Sequence, residues 1–109
     1  MKVLNHYQIQ AYFGTQKIYM PKESVILGCF TDPGNQNIQI TVLTENTETF
    51  SEERTVFCVA PYAALPMLPN QDCIPRYIGH AVYTGSVFHV FEVVTPSLKT
   101  ILSKSPIGF

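Results

Sequence analysis

Hydrophobic and polar positions alternate along most of this chain with a period of two, the pattern of strands that bury one face. Residues 3–12 set Val3, Asn5, Tyr7, Ile9 and Ala11 on one side and Leu4, His6, Gln8, Gln10 and Tyr12 on the other. A tight turn at Phe13-Gly14-Thr15-Gln16 leads to a short strand, Lys17 to Met20, which Pro21 ends because it lacks an N–H for the ladder. Ser24 to Thr31 is nearly continuously apolar and reads as a central strand. After the loop Asp32-Pro33-Gly34-Asn35-Gln36-Asn37, the run from Ile38 to Thr44 alternates again and predicts a half-buried strand antiparallel to its predecessor. Residues 45–52 are polar and acidic, a mobile loop by composition. Arg54 to Ala60 is the next strand, with Thr55, Phe57 and Val59 opposed to Val56 and Cys58.

Residues 61–75 contain four prolines, Pro61, Pro66, Pro69 and Pro75, among Tyr62, Leu65, Met67, Leu68 and Ile74. Such a segment excludes a regular helix or a central strand. Its apolar content predicts a packed loop or lid. Tyr77 to Val94 is a β-hairpin around Gly85-Ser86, read as a type II′ turn because glycine accepts φ > 0. Both faces of the hairpin are apolar, which places it inside a sheet covered on both sides or against another subunit. Thr95 as N-cap and Pro96 at the first helical position begin a helix running to Lys104. Leu98, Ile101 and Leu102 form its apolar face, and a helix this short has to dock on its own domain or on a neighbour. The expected fold is therefore all-β: a mostly antiparallel small sandwich or barrel-like sheet of about seven strands, with a short C-terminal helix. Residues 1–94 read as a single β-domain and residues 95–109 as a helical tail that the β-core does not need for folding.

Composition adds three constraints. The chain has 109 residues, enough for one domain with one core. Only 14% of them are charged against an ordinary ~25%, which points to surfaces hidden in contacts and hence to a homo-oligomer. A net charge of −1 leaves no basic excess for a DNA or RNA backbone. The three cysteines, Cys29, Cys58 and Cys73, have no metal or disulfide spacing and read as reduced, buried residues of a cytoplasmic protein. The N-terminus lacks the apolar core of a signal peptide, and no run approaches the ~18 apolar residues of a membrane helix.

The hairpin carries the candidate chemistry. Pairing Thr84 with Val87, Val82 with His89 and His80 with Phe91 makes His80 and His89 diagonal neighbours on one face, and a one-residue slip would separate them. They line a pocket, or they pack with hydrogen-bond partners. A metal site would need a third ligand, His6 or Cys73, brought in by folding; none is assigned, and no cofactor is expected. Arg54 and Arg76 suit a phosphate or carboxylate, being planar and bidentate. Their plainer use is surface ion pairing with Glu53 and Glu92. If their strands are antiparallel neighbours, the two arginines lie at opposite ends; if parallel, at the same end. Tyr62 and Tyr77 beside them offer rings for base stacking or for packing. No Ser-His-Asp order, nucleophile elbow, paired carboxylates or phosphate loop is present, so no catalytic residue is assigned. The candidate ligand-binding set is Arg54, Tyr62, Arg76, Tyr77, His80 and His89.

Met20-Pro21-Lys22, Ile26-Leu27, Glu53-Arg54-Thr55-Val56-Phe57, Arg76-Tyr77-Ile78-Gly79-His80 and Val87-Phe88-His89-Val90-Phe91-Glu92 occur in that order. In this the chain resembles a family of small, functionally uncharacterised proteins of phages and bacteria, which have Thr where His80 stands. The resemblance implies an all-β fold and a phage-like origin. Taken with the low charge, the apolar hairpin faces and the dockable tail helix, it suggests a non-enzymatic, oligomeric accessory protein in a host cytoplasm that binds a small molecule or a host protein, in its specific form sequestering a nucleotide-type defence signal. The alternative is a structural or protein-interaction module, such as a virion or host-inhibitor subunit.

Overall fold

The computed structural model describes residues 1–11, 14–45 and 50–103, apart from the side chain of Ile101. Seven strands and one helix lie among the described residues: β1 (Lys2–Ile9), β2 (Thr15–Pro21), β3 (Val25–Thr31), β4 (Ile38–Glu45), β5 (Ser51–Val59), β6 (Ile74–Tyr83), β7 (Ser86–Val94) and α1 (Pro96–Ser103). They form a three-stranded sheet ordered β1-β4-β3 and a four-stranded sheet ordered β2-β5-β7-β6. All pairings are antiparallel, and the two sheets do not close into a barrel. The all-β expectation with a short C-terminal helix therefore holds.

The alternation read from the sequence decides what is buried. Ile38, Ile40 and Val42 of β4 face Val56 and Cys58 of β5 and Val90 of β7 within one core cluster, joined by Ile9, Met20, Ile26 and Ala81. Where the sheets' edges meet, Thr31 Oγ1 donates to the Val82 carbonyl at 2.6 Å and accepts from the Val82 N–H at 3.0 Å. Gly79 permits this approach of β6 to β3, because a Cβ there would lie 3.3 Å from Cys29 Sγ. On the far face of the four-stranded sheet, Phe57, Val59 and Val93 are buried together with Cys73, and Leu68 packs against them. Part of the proline-rich segment is thus a cover over β5 and β7. Strand β7 has a layer over each face, as its composition requires, while β6 stands at its sheet's edge.

Several local expectations change. The stretch read as a central strand, β3, stands at the edge of its three-stranded sheet, where β6 of the other sheet approaches it. Pro21 closes β2 as its last residue, and β5 begins at Ser51, inside the stretch read as a loop. Part of that loop, residues 46–49, lies outside the described residues, as do Tyr12, Phe13 and Lys104 at two other predicted boundaries. The hairpin turn is Thr84-Gly85, not Gly85-Ser86. Tyr83 pairs with Ser86, and the turn residues have φ of 48° and 82°, the two positive values of a type I′ turn. Glycine at its second position meets that demand directly.

The helix begins as predicted. Thr95 Oγ1 accepts the Leu98 N–H at 3.2 Å, an N-cap bond. Leu98 and Leu102 are buried with Val25 and Val94, so the helix docks on its own domain. Within the described residues, no helix is long and apolar enough to cross a membrane.

Candidate functional site

The expectation that a one-residue slip would separate the two histidines is corrected: moving the turn by one residue shifts both arms of the hairpin, so parity survives. His80 stands directly opposite His89 rather than diagonal to it, and both remain on one face. A β-bulge then changes the side-chain order along β6. Tyr77 pairs with Phe91 and Gly79 with Val90, leaving Ile78 as the extra residue. The bulge reverses the alternation, so Tyr77 and His80 lie on the same outer face although three residues apart. The Tyr77 hydroxyl and His89 Nδ1 are 2.9 Å apart, and their ring centres are 5.7 Å apart. The Tyr77 ring meets Phe91 edge-on at 5.2 Å, and Phe91 stacks on Phe57 at 5.1 Å. His80 and His89 approach edge-on at 6.3 Å. This cluster is held from beneath by aromatic packing and faces outward.

Beside it lies an open groove of about 250 Å³ lined by Val59, Ala60, Pro61, Tyr62, Ala63, Leu65, His89 and Phe91. Tyr62 sits on its rim with a fully exposed ring and a backbone φ of 67°, a left-handed conformation that costs a non-glycine residue free energy. Leu65 and Met67 are exposed next to it in sequence.

Below the bulge, Arg76 falls on the opposite, inner face and pairs in register with Glu92. Strand β7 lies between β5 and β6, so these are not neighbours. Each is antiparallel to β7 and hence parallel to the other, which brings Arg54 and Arg76 to the same end. Arg54 Nε donates to Glu92 Oε2 at 2.6 Å, and its Nη1 donates to the Ser24 carbonyl at 2.7 Å and Glu52 Oε1 at 3.1 Å. Arg76 Nη1 donates to the Ile26 carbonyl at 3.2 Å and lies 3.6 Å from Glu92 Oε1. Burial lowers the Arg76 pKa, opposed by Glu92 and assisted by Arg54.

The expected surface pairing is therefore corrected. Arg54 and Glu92 are only 2% and 0% exposed. Glu53, the other expected partner, instead pairs with Lys17 at 3.4 Å and accepts from the Tyr19 hydroxyl at 3.0 Å. A second cleft of about 230 Å³ runs between β5 and the start of α1, with Arg54 in its wall. Glu52 and Glu53 line it as well, which makes it a poor seat for an anion.

The structure thus divides the candidate set. Tyr62, Tyr77, His80 and His89 gather on the outer face, whereas Arg54 and Arg76 point inward and are partnered there. Of the third ligands considered for a metal, His6 packs edge-on against Phe30 at 4.9 Å and Cys73 is buried. Among the described residues, no group of three or more His, Cys, Asp or Glu is arranged to hold a metal ion. Phe91 and the rim residue Leu65 were absent from the sequence-derived set. Their signal was the aromatic alternation of β7 and the apolar content of the proline-rich segment. Cys58 lies in the core, where burial and the neighbouring Cys29 push its thiol pKa up to about 12. Burial raises that of Cys29 too.

Comparisons with protein-family models, curated proteins and solved structures matched nothing.

Proposed function

We propose that the protein is a non-enzymatic, self-associating interaction module that receives an apolar protein surface on the outer face of its four-stranded sheet. One observation carries this reading: Tyr62 displays its whole ring to solvent from a strained backbone, on a groove that Leu65, 52% exposed, also lines, and Met67, close by in sequence, is 94% exposed. Exposed apolar side chains grouped in this way favour a protein partner. A second copy of the chain is the occupant in the isolated protein, and a host or virion protein would use the same face. The phage-like resemblance agrees with an accessory role of this kind. Light scattering should return a mass above the 12.2 kDa of one chain at tens of micromolar. Met67→Lys or Tyr62→Ala should return it to that value. A wild-type monomer throughout this range would sink the self-association.

A nucleotide-type ligand is the second reading, favoured by the aromatic side chains of the groove. Tyr62 and His89 could flank a base there. Its phosphates would need cations from elsewhere, since Arg54 and Arg76 are engaged on the inner face. A thermal-shift panel of cyclic and ADP-ribose-type nucleotides separates the two readings. The leading one expects no shift; a shift abolished by Tyr62→Ala would replace it with sequestration.

A further inference from the structure

We propose that His80 and His89 form a two-imidazole site for a divalent transition-metal ion of the zinc, nickel or copper class, with Tyr77 as the positioning residue. This does not rest on the groove's occupant.

Three features of the outer face support the assignment. First, the two histidines are directly opposed on paired strands. Direct opposition fixes their Cβ atoms at about 4.5–5.5 Å, within reach of one ion. Second, their ring centres are already 6.3 Å apart. Two imidazoles bound at the usual ~2.0–2.1 Å to a tetrahedral ion have ring centres about 5 Å apart. Closing by about 1 Å needs only a side-chain rotation, and His80 is exposed and free to supply it. Third, the Tyr77 hydroxyl holds His89 Nδ1 at 2.9 Å. An ion on Nε2 requires Nδ1–H to donate to that oxygen, and such an outer hydrogen bond is what orients histidine ligands in metal sites. Tyr77 is itself braced edge-on against Phe91, so the imidazole is held in place before any ion arrives.

The donor set selects the ion. Two imidazoles suit zinc, nickel and copper, whereas magnesium and calcium favour oxygen ligands. Neither His6 nor Cys73 fills the third position, so the two protein ligands leave it and the remaining ones to water or to a donor from a bound partner.

Calorimetric titration of the full chain with Ni²⁺ tests the site. One ion per chain is expected. His80→Asn and His89→Asn should each weaken binding at least tenfold. Tyr77→Phe should weaken it about tenfold with stoichiometry unchanged, and His6→Asn should leave it unchanged. Circular dichroism checks that each variant keeps its β signal. In a parallel titration with Co²⁺, the optical spectrum should lack a thiolate charge-transfer band. Absence of binding at millimolar Ni²⁺, an isotherm indifferent to both histidine variants, or a thiolate band that assigns the ion to the cysteines would each overturn the site. Loss with the histidine variants but not with Tyr77→Phe would overturn the positioning role.

Discussion

Strand β7 shows two chemistries on its two sides. Inward, Glu92 sits at 0% exposure between two guanidiniums, above a floor of Val90 and Val94. Outward, one residue away in each direction, Phe91 and Val93 continue to a half-buried His89 that reaches a tyrosine hydroxyl. The inner charges are ion-paired, and Arg54 and Glu92 among them are dry, so they serve the fold. The outer polar atoms are wet and adjustable, so they are available to a ligand. Low dielectric makes the inner set costly to break, while water moderates any change to the outer one. Titratable residues on one strand therefore need not share a purpose.

Breaking the inner face should have the largest effect. Glu92→Gln leaves the buried Arg54 guanidinium with only the more exposed Glu52 as a counter-charge, and urea unfolding should show a loss of about 3 kcal/mol. His89→Asn on the outer face should cost under about 1 kcal/mol in the same assay. Equal losses would erase the distinction between the faces. Replacing Arg54 and Glu92 together by methionine should recover most of the single-variant loss, as buried pairs exchanged for apolar residues often do.

Next comes the helix beside the inner face. Leu102→Ala removes a side chain that is 1% exposed against Val25 and Val94. It should lower stability by about 2–5 kcal/mol, measured by denaturant midpoint. Truncation after Thr95 should lower it further while retaining the β signal in circular dichroism, because the strands pair among themselves; collapse of that signal would make the helix part of the folding core.

A third test uses the core thiols. Cys58 has a folded pKa of about 12, above the ordinary 9.0, so the folded chain retains a proton that the unfolded chain releases. Its stabilising contribution is complete below about pH 9 and fades as pH rises toward about 12. Cys58→Ala should flatten this alkaline decline in denaturant midpoint; an unaltered decline would assign it to other groups.

The smallest effect, opposite in sign, is expected at the outer rim. Tyr62→Gly should stabilise the chain by about 1 kcal/mol or less, because glycine accepts the positive φ without strain. Paired with loss of self-association, it would separate the cost of displaying this ring from its use.

Much of this was legible from pattern alone. Period-two alternation identified Ile38, Ile40 and Val42 as a core face. The two apolar faces of the 77–94 hairpin implied cover on both sides, and Thr95-Pro96 marked the helix start. These are local rules, set by how successive side chains leave a strand or how a helix satisfies its first N–H groups. Alternation left the hairpin register open, since shifting a two-residue turn by one position keeps His80 and His89 on the same face. The positive φ at both Thr84 and Gly85 selected among those registers.

The division of the candidate site was decided by tertiary structure. An unbroken β6 would have put Arg76 and His80 on one face and Tyr77 on the other. The extra residue at Ile78 sends Arg76 inward to Glu92 and turns Tyr77 outward to His89. The insertion of β7 between β5 and β6 then brings Arg54, 22 positions earlier than Arg76, onto the same carboxylate. Strand order and bulge position follow from pairings between distant segments, whose free energies depend on which edges meet. Alternation in the sequence marked most of the apolar core, and the paired sheets determined that Arg54 and Glu92 would be buried and which residues would meet.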